Sequence, residues 1–264
     1  SGKGMRLSSS TISSRSEGYR RLTFLMLDRD IVAGSPSSTY RVLKGAGLLD
    51  GWKPKPSLKG AGFVQPLAPP AHGHVDVSSI HVSGTFFDLC ALLDGCARGI
   101  VHSRAARDHD EGRRRDLLQR GLERYPHVKP RIISDNGPQF MARDFKEFIR
   151  IAGLTPVRTS PYYPQSNGKI ERWHKSLKAD CIRPGVPLNL QDARRLVTRF
   201  VEHDNTVRLH SAIGYITPAD KLTGKEEAIF AARDQKLLQA RQTRKTKRSQ
   251  NTPHSLAATL TFSN

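Results

Sequence analysis

A chain of 264 residues with 43 Lys and Arg against 24 Asp and Glu carries a net charge of +19 and a pI near 10.4, the footprint of a protein that meets a polyanion. No apolar run approaches the ~18 residues of a membrane span, and no secretory or lipidation signal is found, so a soluble intracellular protein with nucleic acid as its leading partner is expected. Cys90, Cys96 and Cys181 show no CxxC spacing and read as reduced thiols, excluding a disulfide or zinc framework.

Residues 1–16 are Ser-rich and poor in apolar side chains, which predicts disorder. Residues 17–50 read as a small helix-turn-helix DNA-binding domain. Leu22, Leu25 and Met26 share a face of its first helix; Ser35 caps the second, Pro36 occupies its first turn, and Tyr40, Arg41 and Lys44 lie on it. Residues 51–73, with five prolines and four glycines, read as a linker. His72 and His74 have no partnered cysteines and are expected to be polar linker positions, not zinc ligands.

From His74 to residue 225 the pattern is that of a catalytic core. HVDVSSIHV, TFFDLCALLD and GIVHSR predict an antiparallel meander of three strands. A helix is expected near residues 109–124, although Arg114 and Asp116 fall where apolar residues are expected. PRIISD predicts a fourth strand, ending at Asp135. Phe140, Phe145, Phe148, Ile149 and Ala152 then repeat at helical spacing up to a stop at Gly153. TPVRTS predicts a fifth strand, and helices are expected from about Asn167 and from Asn189, the second with Asp192 in capping-box relation. Leu196, Val197, Phe200 and Val201 give that last helix its apolar face. The sum is an α/β fold, a mixed five-stranded sheet flanked by helices. Residues 226–264 form a basic tail, a helix or a disordered arm, suited to phosphates without sequence readout.

Three acids stand out in this frame. Asp76 lies within the first strand, Asp135 at the end of the fourth and Glu171 in the first turn of a helix, with 35 residues between the last two. If the first and fourth strands are neighbours, the three carboxylates meet at one edge of the sheet. Like charges brought together need a cation between them, and hard oxygen ligands suit Mg²⁺ or Mn²⁺. Asp88 is a fourth carboxylate beside them or, by side-chain alternation, an exposed strand position.

The segments ISDNGPQF, RTSPYYPQSNGKIERWHKSLK and HDNTVRLHSAIGYITP resemble the DDE polynucleotidyl transferases of RNase H-like fold, and more narrowly the catalytic subunit (OrfB) of insertion-sequence transposases of the IS-three family. The resemblance covers residues 18–225 and implies a DNA strand transferase, with Asp76, Asp135 and Glu171 as its metal triad. The family's basic residue seven positions after the glutamate falls on Lys178. On a helix Glu171, Lys175 and Lys178 share a face, so both lysines would lie where a phosphate backbone passes.

The mechanism so implied uses two Mg²⁺ or Mn²⁺ ions, bridged by Asp76 and completed by Asp135 and Glu171, for in-line phosphoryl displacement. Asn136 and Gly137 are expected to turn the chain after Asp135. Tyr162 and Tyr163, on a proline-flanked loop with Gln165, Asn167 and Lys169, suit base stacking or sugar contact, and Arg172 extends the basic face. Asp94, His203 and His210 are expected to make structural hydrogen bonds. The resemblance further implies the element's terminal inverted repeats and target DNA as partners, a homo-oligomer on DNA, an upstream-frame OrfA protein, and a cytoplasmic, nucleoid-associated location. A degenerate or domesticated DNA-binding copy, or a hydrolytic nuclease of the same fold, are the alternative readings.

Overall fold

The computed structural model describes residues 18–49, 72–106, 111–124, 129–135, 143–158 and 167–250. The expected N-terminal disorder and nearly all of the linker therefore lie outside the described residues. So do the Asn136–Gly137 turn, Phe140, Tyr162, Tyr163, Gln165 and the side chain of Arg114. The chain forms two units, residues 55–225 and residues 1–54 with 226–264.

The larger unit is built on one five-stranded sheet. Strands β1 (His72–Val82), β2 (Thr85–Asp94) and β3 (Ile100–Ala106) form the antiparallel meander. β4 (Arg131–Ser134) pairs in parallel with β1, and β5 (Thr155–Arg158) in parallel with β4, giving the order β3-β2-β1-β4-β5. The hairpin between β1 and β2 turns at Ser83 and Gly84, both at positive φ. β1 starts two residues before its expected His74, and this corrects the reading of the two histidines. His72 and His74 are strand residues, and His74 is fully buried at 0% exposure.

Side-chain alternation divides the sheet into two cores. On one face Ile80, Val82, Phe87, Leu89, Ala91 and Leu93 pack beneath α5 (Gly168–Leu177) and α6 (Leu190–Thr206). On the other, Val75, Leu92 and Ile132 pack beneath α3 (Glu111–Arg124) and α4 (Arg143–Ile151). α4 contributes Phe145, Phe148 and Ile149 and stops at Gly153, which sits at φ +66°. α3 escapes the conflict posed by its charges because its buried stripe is Leu117, Leu118 and Gly121. Asp116 lies at the stripe's edge, paired with Arg104 of β3 and Arg120. Gly121 is needed there, since a Cβ would lie 2.5 Å from Leu92 Cδ2.

α6 begins as expected, with Asn189 Oδ1 accepting the Asp192 N–H at 2.8 Å, but Asp192 returns its bond to Leu188 N–H. Its apolar face centres on Ala193 and Val197. Asn205 then fastens the helix to the sheet, accepting from Ile100 N–H at 2.8 Å and donating to Ile100 C=O at 2.9 Å. Between α5 and α6 the chain widens into a π-helical turn, Lys178–Ile182, in which Arg183 N–H reaches back to Lys178 C=O. Pro184 explains the widening: it has no N–H for the Asp180 carbonyl, and its ring would strike that carbonyl in a regular α-helix. A capping box of Thr217 and Asp220 opens α7 (Pro218–Leu222).

The smaller unit contains α1 (Tyr19–Asp28), α2 (Pro36–Gly45) and α8 (Glu226–Gln250). Ser35 caps α2 as expected, its hydroxyl accepting Ser38 N–H at 3.2 Å. The most buried face of α1 is not Leu22, Leu25 and Met26 but Thr23 and Leu27. α8 sets this orientation. Its Arg233, 5% exposed, makes a two-pronged pair with Asp28 at 2.8 and 2.7 Å and stacks over the Phe24 ring. Among the described residues no helix is long and apolar enough to cross a membrane, and the three cysteines are free thiols.

Candidate active site

Asp76 sits in the middle of β1, opposite Ala91 of β2. Its even-numbered neighbours Ile80 and Val82 belong to the core beneath α5 and α6, so its side chain leaves the sheet on that side. The parallel register pairs His74 with Ile133, and continued by two residues it brings Asp135 level with Asp76 on the same face. Adjacent strands lie about 4.8 Å apart, so the two acids are near neighbours. Asp88, by contrast, belongs to the opposite set of β2 residues. It takes a bond from Ser79 Oγ at 3.3 Å and lies away from this group.

The third acid arrives on α5. This helix buries Ile170, Trp173, His174 and Leu177 against the sheet, a spacing of three and four residues that fixes which way it rolls. Glu171 is left exposed in its first turn, where the helix dipole favours a negative charge.

Electrostatics show that the acids sense one another. Asp76, with a side chain only 14% exposed, has its pKa raised to about 7, first by burial, then by repulsion from Asp135 and Glu171, against the opposing pull of Val77 N–H and Lys178. Among the described residues no three acidic, histidine or cysteine side chains already stand close enough to share one ion. The strain is that of like charges facing a common space, and the donor set, carboxylate oxygen throughout, fits a hard divalent cation.

Two histidines beside the acids escaped the sequence reading. His174, 3% exposed, places Nε2 3.6 Å from Asp76 Oδ2, and burial followed by the Lys178 charge lowers its pKa to about 4. It is a neutral wall of the site at pH 7. Its position three residues after Glu171, on the inward face of the same helix, is the signal that would have found it. His74 is likewise held neutral, its pKa lowered to about 3 chiefly by burial.

The remaining candidates divide by exposure. Lys178 lies at the end of α5 within charge range of both Asp76 and His174, while Lys175 and Arg172 are exposed on the helix. Asn167 is buried at 2% exposure, and Lys169 turns inward, donating from Nζ to Gly95 C=O at 2.9 Å. Lys169 thus ties the start of α5 to the β2–β3 turn, and Asn167 bonds His74 of β1. In the smaller unit Arg41 and Lys44 are exposed on α2. Asp94 proves structural, its Oδ1 accepting Cys96 and Ala97 N–H. His210 holds the Asp204 carbonyl with Nε2 at 3.1 Å.

A five-stranded sheet of this order, carrying acids on its central strands and on the helix across them, defines an RNase H-like integrase core. Two family models described as integrase core domain match residues 66–164 and 152–218, together more than half of the chain. The transposase InsD of insertion element IS2 from Escherichia coli is 28% identical over 229 residues, covering 78% of this chain and 73% of that protein. An uncharacterized protein of insertion element IS136 from Agrobacterium fabrum is 35% identical over 117 residues, 42% of this chain; the chain spans 60% of that relative's length. Among solved structures, a simian T-cell lymphotropic virus intasome in complex with the PP2A regulatory subunit B56 gamma shares the fold. Its TM-score is 0.53 at 15% identity, over 72% of this chain and 67% of that one. The chain thus carries an integrase core domain and is similar to transposases of insertion sequences.

Proposed function

We propose that this protein cleaves the DNA ends of an insertion sequence and joins them to target DNA, with Asp76, Asp135 and Glu171 holding divalent metal. The observation that carries this reading is the burdened Asp76 carboxyl, buried on the face that Asp135 and α5 share, in a chain of net charge +19. A bound Mg²⁺ or Mn²⁺ supplies Lewis-acid activation of the scissile phosphate and charge compensation for the leaving oxygen. His174 and the apolar face of α5 exclude water from behind Asp76 and keep its carboxyl turned toward its partners. Lys178, with Lys175 and Arg172 further along α5, draws the phosphate backbone across the acids. Arg41 and Lys44 of α2 and the basic end of α8 hold DNA outside the core, and two element ends held at once call for at least two copies of the chain.

The test is a cleavage and joining assay with the purified protein, Mg²⁺ or Mn²⁺, and DNA carrying the element's ends. Wild-type protein is expected to nick and join. Asp135→Asn is expected to bind the same DNA with a rate lower by about 10³-fold or more. Full strand transfer by Asp135→Asn would remove the assigned site, and wild-type protein that shifts its DNA without cutting it would make this chain a binding protein only.

A further inference from the structure

The segment HDNTVRLHSAIGYITP has no part in the chemistry above, yet it builds a charged network that ends beside the acids. Asp204, at the end of α6, is 1% exposed. Arg208 Nη1 lies 3.4 Å from its Oδ1, and His210 Nε2 lies 3.1 Å from its carbonyl oxygen and 3.6 Å from Oδ2. The other arm of the same guanidinium reaches out of this cluster, with Nη2 donating to Asp180 Oδ2 at 3.2 Å. Asp180 lies in the π-helical turn that begins with Lys178, and this turn packs against both β1 and α6.

A π-turn is a locally loosened helix, since each hydrogen bond spans an extra residue. Beyond it comes only one short α-helical turn, Arg183–Gly185, before Val186 at φ +40°, a left-handed conformation that β-branched residues avoid. Lys178 stands where the regular helix gives way to the π-turn, its N–H still bonded to His174 C=O and its own carbonyl taken by Arg183 N–H. The Asp180–Arg208 pair ties the π-turn to the end of α6, and the buried Asp204, itself held by His210, keeps the guanidinium in register for it. A planar two-armed donor is needed, because one group must reach two carboxylates at fixed angles.

We infer that Arg208, braced by Asp204 and His210, is a positioning residue that locks the π-turn through Asp180 and so presents Lys178 to the DNA backbone at the acidic site. The inference rests on the reading of Lys178 as a DNA contact.

The test measures affinity of the full-length protein for a fluorescein-labelled duplex by anisotropy across a salt series. Asp180→Ala cuts the brace but leaves the Asp204–Arg208 pair intact, so the core folds. Removing a negative charge beside Lys178 would by itself tighten DNA binding. Positioning predicts the reverse: Asp180→Ala weakens binding several-fold and flattens the salt slope by about one, as Lys178→Ala does. Asp180→Asn, which loses the same charge but keeps an acceptor for Arg208, restores most of the affinity. In the Lys178→Ala background Asp180→Ala has no further effect. Tighter or unchanged binding by Asp180→Ala, equal behaviour of the Ala and Asn variants, or additive losses with Lys178→Ala would each overturn the inference. Unaltered affinity in Lys178→Ala alone would instead remove Lys178 from the DNA path, and the brace's role with it.

Discussion

Gly95 sits in the turn after β2 at a crossing of three segments. Its N–H donates to His72 C=O at 2.7 Å and its carbonyl accepts Lys169 Nζ at 2.9 Å. A Cβ there would lie 2.8 Å from His74 Nε2 and 3.1 Å from His72 O. The imidazole is fully buried and the carbonyl belongs to the sheet, so neither can withdraw cheaply. Overpacking of this kind costs about 1–3 kcal/mol. For a unit of this size each kcal/mol moves Tm by about 2–4 °C, so Gly95→Ala is expected to melt lower by roughly 2–12 °C. Gly168, at the first position of α5, supplies the opposite case. Nothing lies within 4 Å of an added Cβ and the backbone is not left-handed, so Gly168→Ala is expected to stabilise by about 0.4–1 kcal/mol through the unfolded chain. Calorimetry of the two full-length variants reads both signs. A Gly95→Ala protein as stable as wild type, or two variants shifted in the same direction, would refute the packing assigned to this crossing.

Asp76 gives the metal-free protein a characteristic pH response. Its pKa rises from 3.8 to about 7 on folding, so between these values the unfolded chain has already released a proton that the folded chain keeps. Stability is therefore expected to fall as pH rises from 4 to 7, by a few kcal/mol at most. Denaturant titrations should show this slope flattened in Asp76→Asn, and Mg²⁺ or Mn²⁺ should raise the wild-type midpoint at pH 7.5 but not that of the variant. Asn205→Ala strands both polar groups of Ile100 and is expected to cost about 1–3 kcal/mol in the same titrations; a loss below ~0.5 kcal/mol would show that the bridge between α6 and β3 is dispensable. Asp28→Ala removes the two-pronged partner of the buried Arg233, and limited proteolysis is expected to open α8 faster than in wild type. Unchanged cleavage would mean that the pair does not hold that helix.

The parts of the fold legible in the sequence were those written in local periodicity. The meander, the strand that runs up to Asp135 and ends at Ser134, the α4 stop at Gly153 and the caps at Ser35 and Asn189 all depend on residues within a few positions of one another. What escaped depends on distant partners. His74 reads as a polar linker residue until Asn167 and Gly95 are packed against it. Lys169 reads as a surface cation until its ammonium is seen on a carbonyl 74 positions away. The charges of α3 looked misplaced because a helical stripe was expected to run through Asp116, when Gly121 lets the helix sit lower and carry Leu117 and Leu118 inward. Of the acidic site, spacing and family resemblance supplied the three carboxylates, while His174 and the brace on the π-turn emerged only from packing.

The same helix covers one face of the sheet and carries the third acid. Until a growing chain has passed residue 177, Ile80, Leu89, Ala91 and Leu93 have no lid from α5, and Glu171 has no helix to present it. A product truncated upstream therefore exposes a sticky apolar face and lacks the complete acidic triad. Stability and the candidate site thus hang on one helix, and a chain cut short of it loses both together.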